Sequence, residues 1–149
     1  MEYNFYGWQA ADKVKAVNHI YPGIETPMDL YDALSAIWCA DTCAPRMRSE
    51  WTEDNKTLGQ CSITAFLAQD IFGGEVYAMP TDNGGVHCYN VIDGCTFDLT
   101  SEQFGERAKE LCYEGNERQE RETPGHFGKE EKRRRYEYLK ERLQSRGKG

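Results

Sequence analysis

The chain has 149 residues, 39% of them hydrophobic, and a net charge of −7, enough for a single domain with a real core. No apolar run approaches the roughly 20 residues of a membrane-spanning helix. Met1-Glu2-Tyr3-Asn4 lacks the basic-then-apolar start of a signal peptide, so the expectation is a cytoplasmic protein with its six cysteines reduced.

Charge is unevenly spread. Residues 129–149 carry nine Lys/Arg against four Asp/Glu, or +5, which leaves −12 on residues 1–128. An acidic body disfavours nucleic acid as the main ligand, because neutralising phosphates needs clustered cations. The basic end reads as a charged, solvated helix.

In chain order, Lys13–Ile20 predicts a short helix closed by Tyr21-Pro22-Gly23. A stronger start follows. Thr26 can cap, Pro27 suits the first helical position, Asp29 completes a Thr-x-x-Asp box, and Leu30, Leu34, Ile37 and Trp38 keep helical spacing. Residues 41–57 read as loop. A second helix is predicted over about Gln60–Phe72, stopped by Gly73-Gly74. Three strands follow: Glu75–Met79, then Val86–Ile92 after the turn signal Asp82-Asn83-Gly84-Gly85, then Cys95–Leu99 after the two-residue turn Asp93-Gly94. Thr100 or Ser101 caps a helix carrying Phe104, Ala108 and Leu111. Residues 114–128 read as a polar linker, and Lys129–Ser145 as a helix with one narrow stripe, Tyr136, Leu139 and Leu143.

The expected fold is α+β: a small antiparallel sheet packed against the cysteine-bearing helix, with flanking helices. Residues 1–128 form one domain whose core is 26–112, and 129–149 form a helix docked on it or trailing from it.

Chemistry concentrates in three segments. Cys61 opens an apolar helix just after Gly59, where unpaired N–H groups and the positive end of the helix dipole favour a thiolate. Alone, such a cysteine reads more readily as a small buried hydrophobe. His87 and Asp98 alter that balance. With a two-residue turn at Asp93-Gly94, facing pairs sum to 187, so Tyr89 faces Asp98 and His87 faces Thr100. His87, Tyr89 and Asp98 then share a face, with His87 and Asp98 as diagonal neighbours roughly 7–8 Å apart at Cα. Asn90 is out of phase with both. The expectation is a Cys61–His87–Asp98 site: Cys61 attacks a carbonyl, His87 handles the proton, and Asp98 orients the ring. Gln60 and Asn55 are the candidate side-chain donors for an oxyanion.

Together, Gly59-Gln60-Cys61-Ser62-Ile63-Thr64-Ala65, Asp70-Ile71-Phe72-Gly73-Gly74-Glu75, Val86-His87-Cys88-Tyr89-Asn90 and Phe97-Asp98-Leu99-Thr100-Ser101-Glu102-Gln103-Phe104 resemble the YunG-like family of small bacterial proteins, over roughly residues 26–112. The order Cys, His, Asp is also similar to the transglutaminase-like core of papain-like folds. That likeness implies nucleophile, base and orienting acid at Cys61, His87 and Asp98.

The resulting expectation is a cysteine-dependent hydrolase or acyl transferase acting on an amide, peptide or thioester, with no cofactor or metal and no membrane contact. Two alternatives stay open. One is a non-catalytic binding protein of the same fold. The other is a zinc site built on Cys39-x-x-x-Cys43 with Cys88, Cys95, Cys112, His19 or His126 completing it.

Overall fold

In the computed structural model, residues 3–81 and 85–146 are described. The chain is α+β. Helices α1 (Trp8–Ala11), α2 (Pro27–Ser35), α3 (Cys61–Phe72) and α4 (Glu130–Ser145) surround an antiparallel sheet of β1 (Glu75–Pro80), β2 (Val86–Ile92), β3 (Cys95–Phe97) and β4 (Glu117–Gln119). The strand order is β3-β2-β1-β4.

The Thr26 box forms on both sides. Thr26 Oγ1 accepts from the Asp29 N–H at 3.4 Å, and Asp29 Oδ2 accepts from the Thr26 N–H at 3.1 Å. Asp93 and Gly94 both take positive φ, 50° and 81°, which gives the hairpin turn whose twist matches its strands. The register follows: Asn90 pairs with Phe97, Val91 with Thr96 and Ile92 with Cys95. Helix α3 packs on β2, where the Asn90 side chain donates to the Ala65 carbonyl at 2.9 Å.

Five expectations need correction. Lys13–Ile20 is not a helix, because its backbone bonds outward: the Ala16 N–H reaches Glu25 O and the Val17 N–H reaches Ile71 O. Among the described residues, the only helix before residue 26 is the single turn α1. After Thr100 the chain forms 3-10 turns over Ser101–Glu110, broken at Gly105 with φ 56°. Residues 41–57, read as loop, hold three 3-10 segments. Residues 114–128 contain β4, which pairs Val76 with Gln119 and Ala78 with Glu117. Strand β3 also ends at Phe97, two residues early; Asp98 instead bridges Tyr6 and donates its N–H to Tyr6 O at 2.9 Å. The turn signal over Asp82-Asn83-Gly84 lies outside the described residues.

Helix α4 docks on the body. Tyr136, Leu139 and Leu143 are buried in the main core with Phe66, Leu67 and Ile71 of α3. Among the described residues, no helix is long and apolar enough to cross a membrane.

Candidate active site

Gly59 sets the entry to α3. Its φ of 71° suits glycine, and a Cβ there would lie 2.5 Å from Cys43 Sγ and 2.9 Å from Ala44 N. The chain turns tightly against residues 43–44 and delivers Cys61 as the first residue of α3. No side chain caps this helix, so the first-turn N–H groups point past the cysteine without a side-chain acceptor.

Cys61 is half-buried, and its Sγ lies 3.9 Å from Val86 O on β2. Strand β3 pairs only with Asn90–Ile92, which leaves the opening of β2 free of that neighbour. Cys61 and His87 line one cavity of about 570 Å³, together with Ser62, Met47, Gln103 and Phe104. A larger groove of about 800 Å³ between α2 and α4 is lined by residues such as Asp29, Asp32, Tyr138 and Arg142, and it holds no thiol or imidazole.

Within the fold, His87 and Asp98 are buried and in contact: His87 Nε2 lies 2.6 Å from Asp98 Oδ2. Asp98 is a hub. Its Oδ2 also accepts from the Tyr113 hydroxyl at 2.6 Å, while Oδ1 accepts from the Thr100 N–H at 3.2 Å and the Thr100 hydroxyl at 3.3 Å. Phe104 meets the His87 ring edge-on, with centroids 4.8 Å apart. With Nε2 committed to the carboxylate, Nδ1 is the free nitrogen, and this buried atom has no hydrogen-bond partner. The Asp98 contact thus selects the tautomer with hydrogen on Nε2 and leaves Nδ1 able to accept a proton.

Electrostatics favour an ion pair. The Cys61 thiol is held well below the ordinary thiol range by the neighbouring Cys88 thiol and by the charge of His87, against the opposing effect of burial. Burial works against charge on His87, but the Asp98 carboxylate and then Cys61 outweigh it and lift the imidazole to about 10. Burial and the adjacent Asp98 charge push Tyr113 up, so it stays a protonated donor. Cys88 is pushed well up by the neighbouring Cys61 and by burial.

These shifts fix a stability profile. Between pH 6.5 and 8.5, unfolded His and Cys together hold one proton, and so does the folded thiolate–imidazolium pair, so this site adds no slope. Below about 6.5 the unfolded chain binds one more proton, and stability falls as pH falls. Above about 8.5 the folded state binds one more until His87 titrates near 10, so stability falls as pH rises. Each limb contributes about 1.4 kcal/mol per pH unit. In Cys61→Ser only His87 is shifted, so the site's contribution declines from about pH 6.5 upward. Denaturant midpoints from pH 5 to 10 check this; identical profiles for the two proteins would contradict it.

Gln60 and Asn55 do not line the cavity. Gln60 is fully buried and donates Nε2 to Cys39 O at 3.2 Å; Asn55 donates to Gln103 O at 3.5 Å. Neither side chain is placed to meet a ligand in that cavity. The residues named for zinc do not gather: among the described residues, no group of three or more His, Cys, Asp or Glu could hold a metal ion. Cys43 is buried against Gly59, and all six cysteines are free thiols.

Sequence reading missed Tyr113, Thr100, Phe104 and the contribution of α4. Tyr113 had no signal, sitting fifteen residues beyond Asp98 in a stretch without periodicity.

Comparison with known proteins gives two matches. A family model described as YunG protein matches residues 26–148. A Bacillus subtilis (strain 168) protein named "Uncharacterized protein YunG" is 46% identical over 56 residues, 38% of this chain and 48% of that protein, so the match spans about half of the relative's length. No solved structure matches. Because the family model covers all but the first 25 residues and the last one, the chain belongs to the YunG family.

Proposed function

We propose that the chain is a cysteine-dependent hydrolase or acyl transferase acting on an amide, peptide or thioester, with nucleophile, base and acid in the papain-like and transglutaminase-like order. The observation that carries this reading is the 2.6 Å His87–Asp98 contact, which leaves Nδ1 unpartnered in the cavity that Cys61 also lines.

Cys61 Sγ attacks the substrate carbonyl carbon, forming an S–C bond while the carbonyl π pair moves onto oxygen. The N–H groups of Cys61 and Ser62 receive the developing charge. Collapse expels the amine or thiolate, which takes the proton from His87 Nδ1, leaving a thioester on Cys61. A water or amine then attacks the thioester, His87 Nδ1 accepts its proton, and Cys61 departs as thiolate. Asp98 stays ionised and holds the imidazolium throughout. The free thiols suit a reducing compartment such as the cytoplasm.

A p-nitrophenyl ester tests this directly. The expected result is a burst of nitrophenolate with one acyl group, located by mass spectrometry on Cys61 and removed by hydroxylamine. No adduct, or acylation spread evenly over the six thiols, would leave the chain as a binding protein.

A further inference from the structure

One wall of the Cys61 cavity is cationic, with three of its four cations drawn from the basic end of the chain. Arg46, Lys129, Lys132 and Arg135 line it, with Glu131 as the one carboxylate. Glu131 is already used: its Oε2 lies 2.5 Å from Arg135 Nε, and Arg135 is buried and also donates to Thr42 O. Among the described residues, Arg46, Lys129 and Lys132 have no carboxylate partner. The Cys61 thiolate, the His87 imidazolium and the Asp98 carboxylate sum to one negative charge, so these three cations still leave the site net positive. They do so in a chain of net charge −7. Gathering like charges at one concave surface is unfavourable until a counter-charge arrives, which marks the site as complementary to an anion.

Lys132 is the built element of this wall. Its ammonium donates to Gly125 O at 2.8 Å and to His126 Nδ1 at 3.2 Å, which uses two of its three N–H groups. His126 is buried, donates Nε2 to Gln119 Oε1 of β4 at 2.8 Å, and meets the Phe66 ring edge-on. Burial and the nearby Lys132 charge lower His126 to about 4, so it stays a neutral acceptor at ordinary pH. A strut from β4 through His126 thus holds the ammonium half-buried at the cavity. The N-terminus of the 16-residue α4 lies on the same wall and has no side-chain cap, which adds its own positive end.

We propose that this wall binds a carboxylate of the substrate, with Lys132 as the principal contact, so that the acyl compound taken by Cys61 is an acidic peptide or amide. The assignment of that carboxylate to a substrate rests on the acyl chemistry proposed above. A polyanion is the wrong partner: the cations sit in a concavity of about 570 Å³ on an otherwise acidic body.

The test uses the full-length Cys61→Ser protein, which cannot form a thioester. It is titrated at constant ionic strength with N-acetylglutamate α-amide or N-acetylglutamine α-amide, which differ only in the side-chain carboxylate, while amide resonances are followed by NMR. The expected result is saturable shifts in residues 129–135 and at Ser62 with the glutamate compound only. Affinity should fall about tenfold in Lys132→Gln, as on loss of a charge-assisted hydrogen bond, and less in the exposed Arg46→Gln, which keeps the inference testable if Lys132→Gln misfolds. Equal response to both compounds, no response, or saturable binding only of a short oligonucleotide would overturn the inference. Carboxylate binding beside an unreactive Cys61 in the parent protein would keep the anion site and sink the acyl chemistry; a reactive Cys61 without carboxylate preference would do the reverse.

Discussion

Replacing Asp98 with alanine is expected to cost about 3–5 kcal/mol of unfolding free energy, the range found when one member of a buried charged pair is removed. The size follows from how much converges there. His87 Nε2, the Tyr113 hydroxyl, the Thr100 N–H and the Thr100 hydroxyl all donate to this one carboxylate, and both Asp98 and His87 are 1% exposed. Alanine leaves those donors without an acceptor in a region closed to water, and it leaves an imidazole that can no longer be charged where it sits. Asp98→Asn keeps the shape and part of the hydrogen bonding, so its cost should be smaller. It nevertheless removes the charge that lifts His87, and with it the ion pair at Cys61. Denaturant unfolding at pH 7 measures both variants. A cost below about 1 kcal/mol for alanine would mean that water or a neighbour replaces the carboxylate and that the hub does not organise the site.

The second large effect concerns His87. In His87→Gln, alkylation of Cys61 by iodoacetamide at pH 6 should slow roughly a hundredfold or more, because a thiol returned to about 8.5 is less than about 1% thiolate at that pH. Cys88→Ala gives the sharper comparison. Cys88 also favours the Cys61 thiolate, yet a neutral S–H is at best a weak donor, whereas an imidazolium brings a full charge. The slowing should therefore be much smaller in Cys88→Ala. If Cys88→Ala slowed the reaction more than His87→Gln, the thiolate would owe its stability to the neighbouring thiol and His87 would not be its partner.

Much of this geometry was legible because it depends on short-range rules. Asp93-Gly94 forces a two-residue turn, and the turn fixes the register as far as Asn90–Phe97; Asp98 lies one residue beyond that ladder, bridged to Tyr6, and there meets His87. The Thr26 box and the glycine before Cys61 carry equally local signals. What could not be read depends on tertiary contact. Strand β4 is Glu-Arg-Gln, an edge strand without apolar alternation, recognisable only through its pairing with β1. Val14 and Ala16 have an apolar pattern that suggested a helix, but the backbone bonds to Glu25 and Ile71 offered a better outlet. Tyr113 reaches the site from just before the segment read as linker, and Lys132 from the helix read as solvated. Nothing in their own neighbourhoods shows where the chain brings them. Gln60 failed as a candidate for the opposite reason: proximity in sequence to Cys61 suggested a donor, but the helix start turns its amide towards Cys39 O.

The most direct measurement is the pH dependence of Cys61 alkylation in the unmodified protein, read peptide by peptide so that the other five thiols serve as internal references. A Cys61–His87 ion pair predicts that Cys61 stays reactive well below pH 8.5, still outpacing every other cysteine at pH 6. A rate that falls tenfold per pH unit below about 8.5, in step with the reference thiols, would mean that Cys61 is an ordinary thiol and that no nucleophile is assembled here.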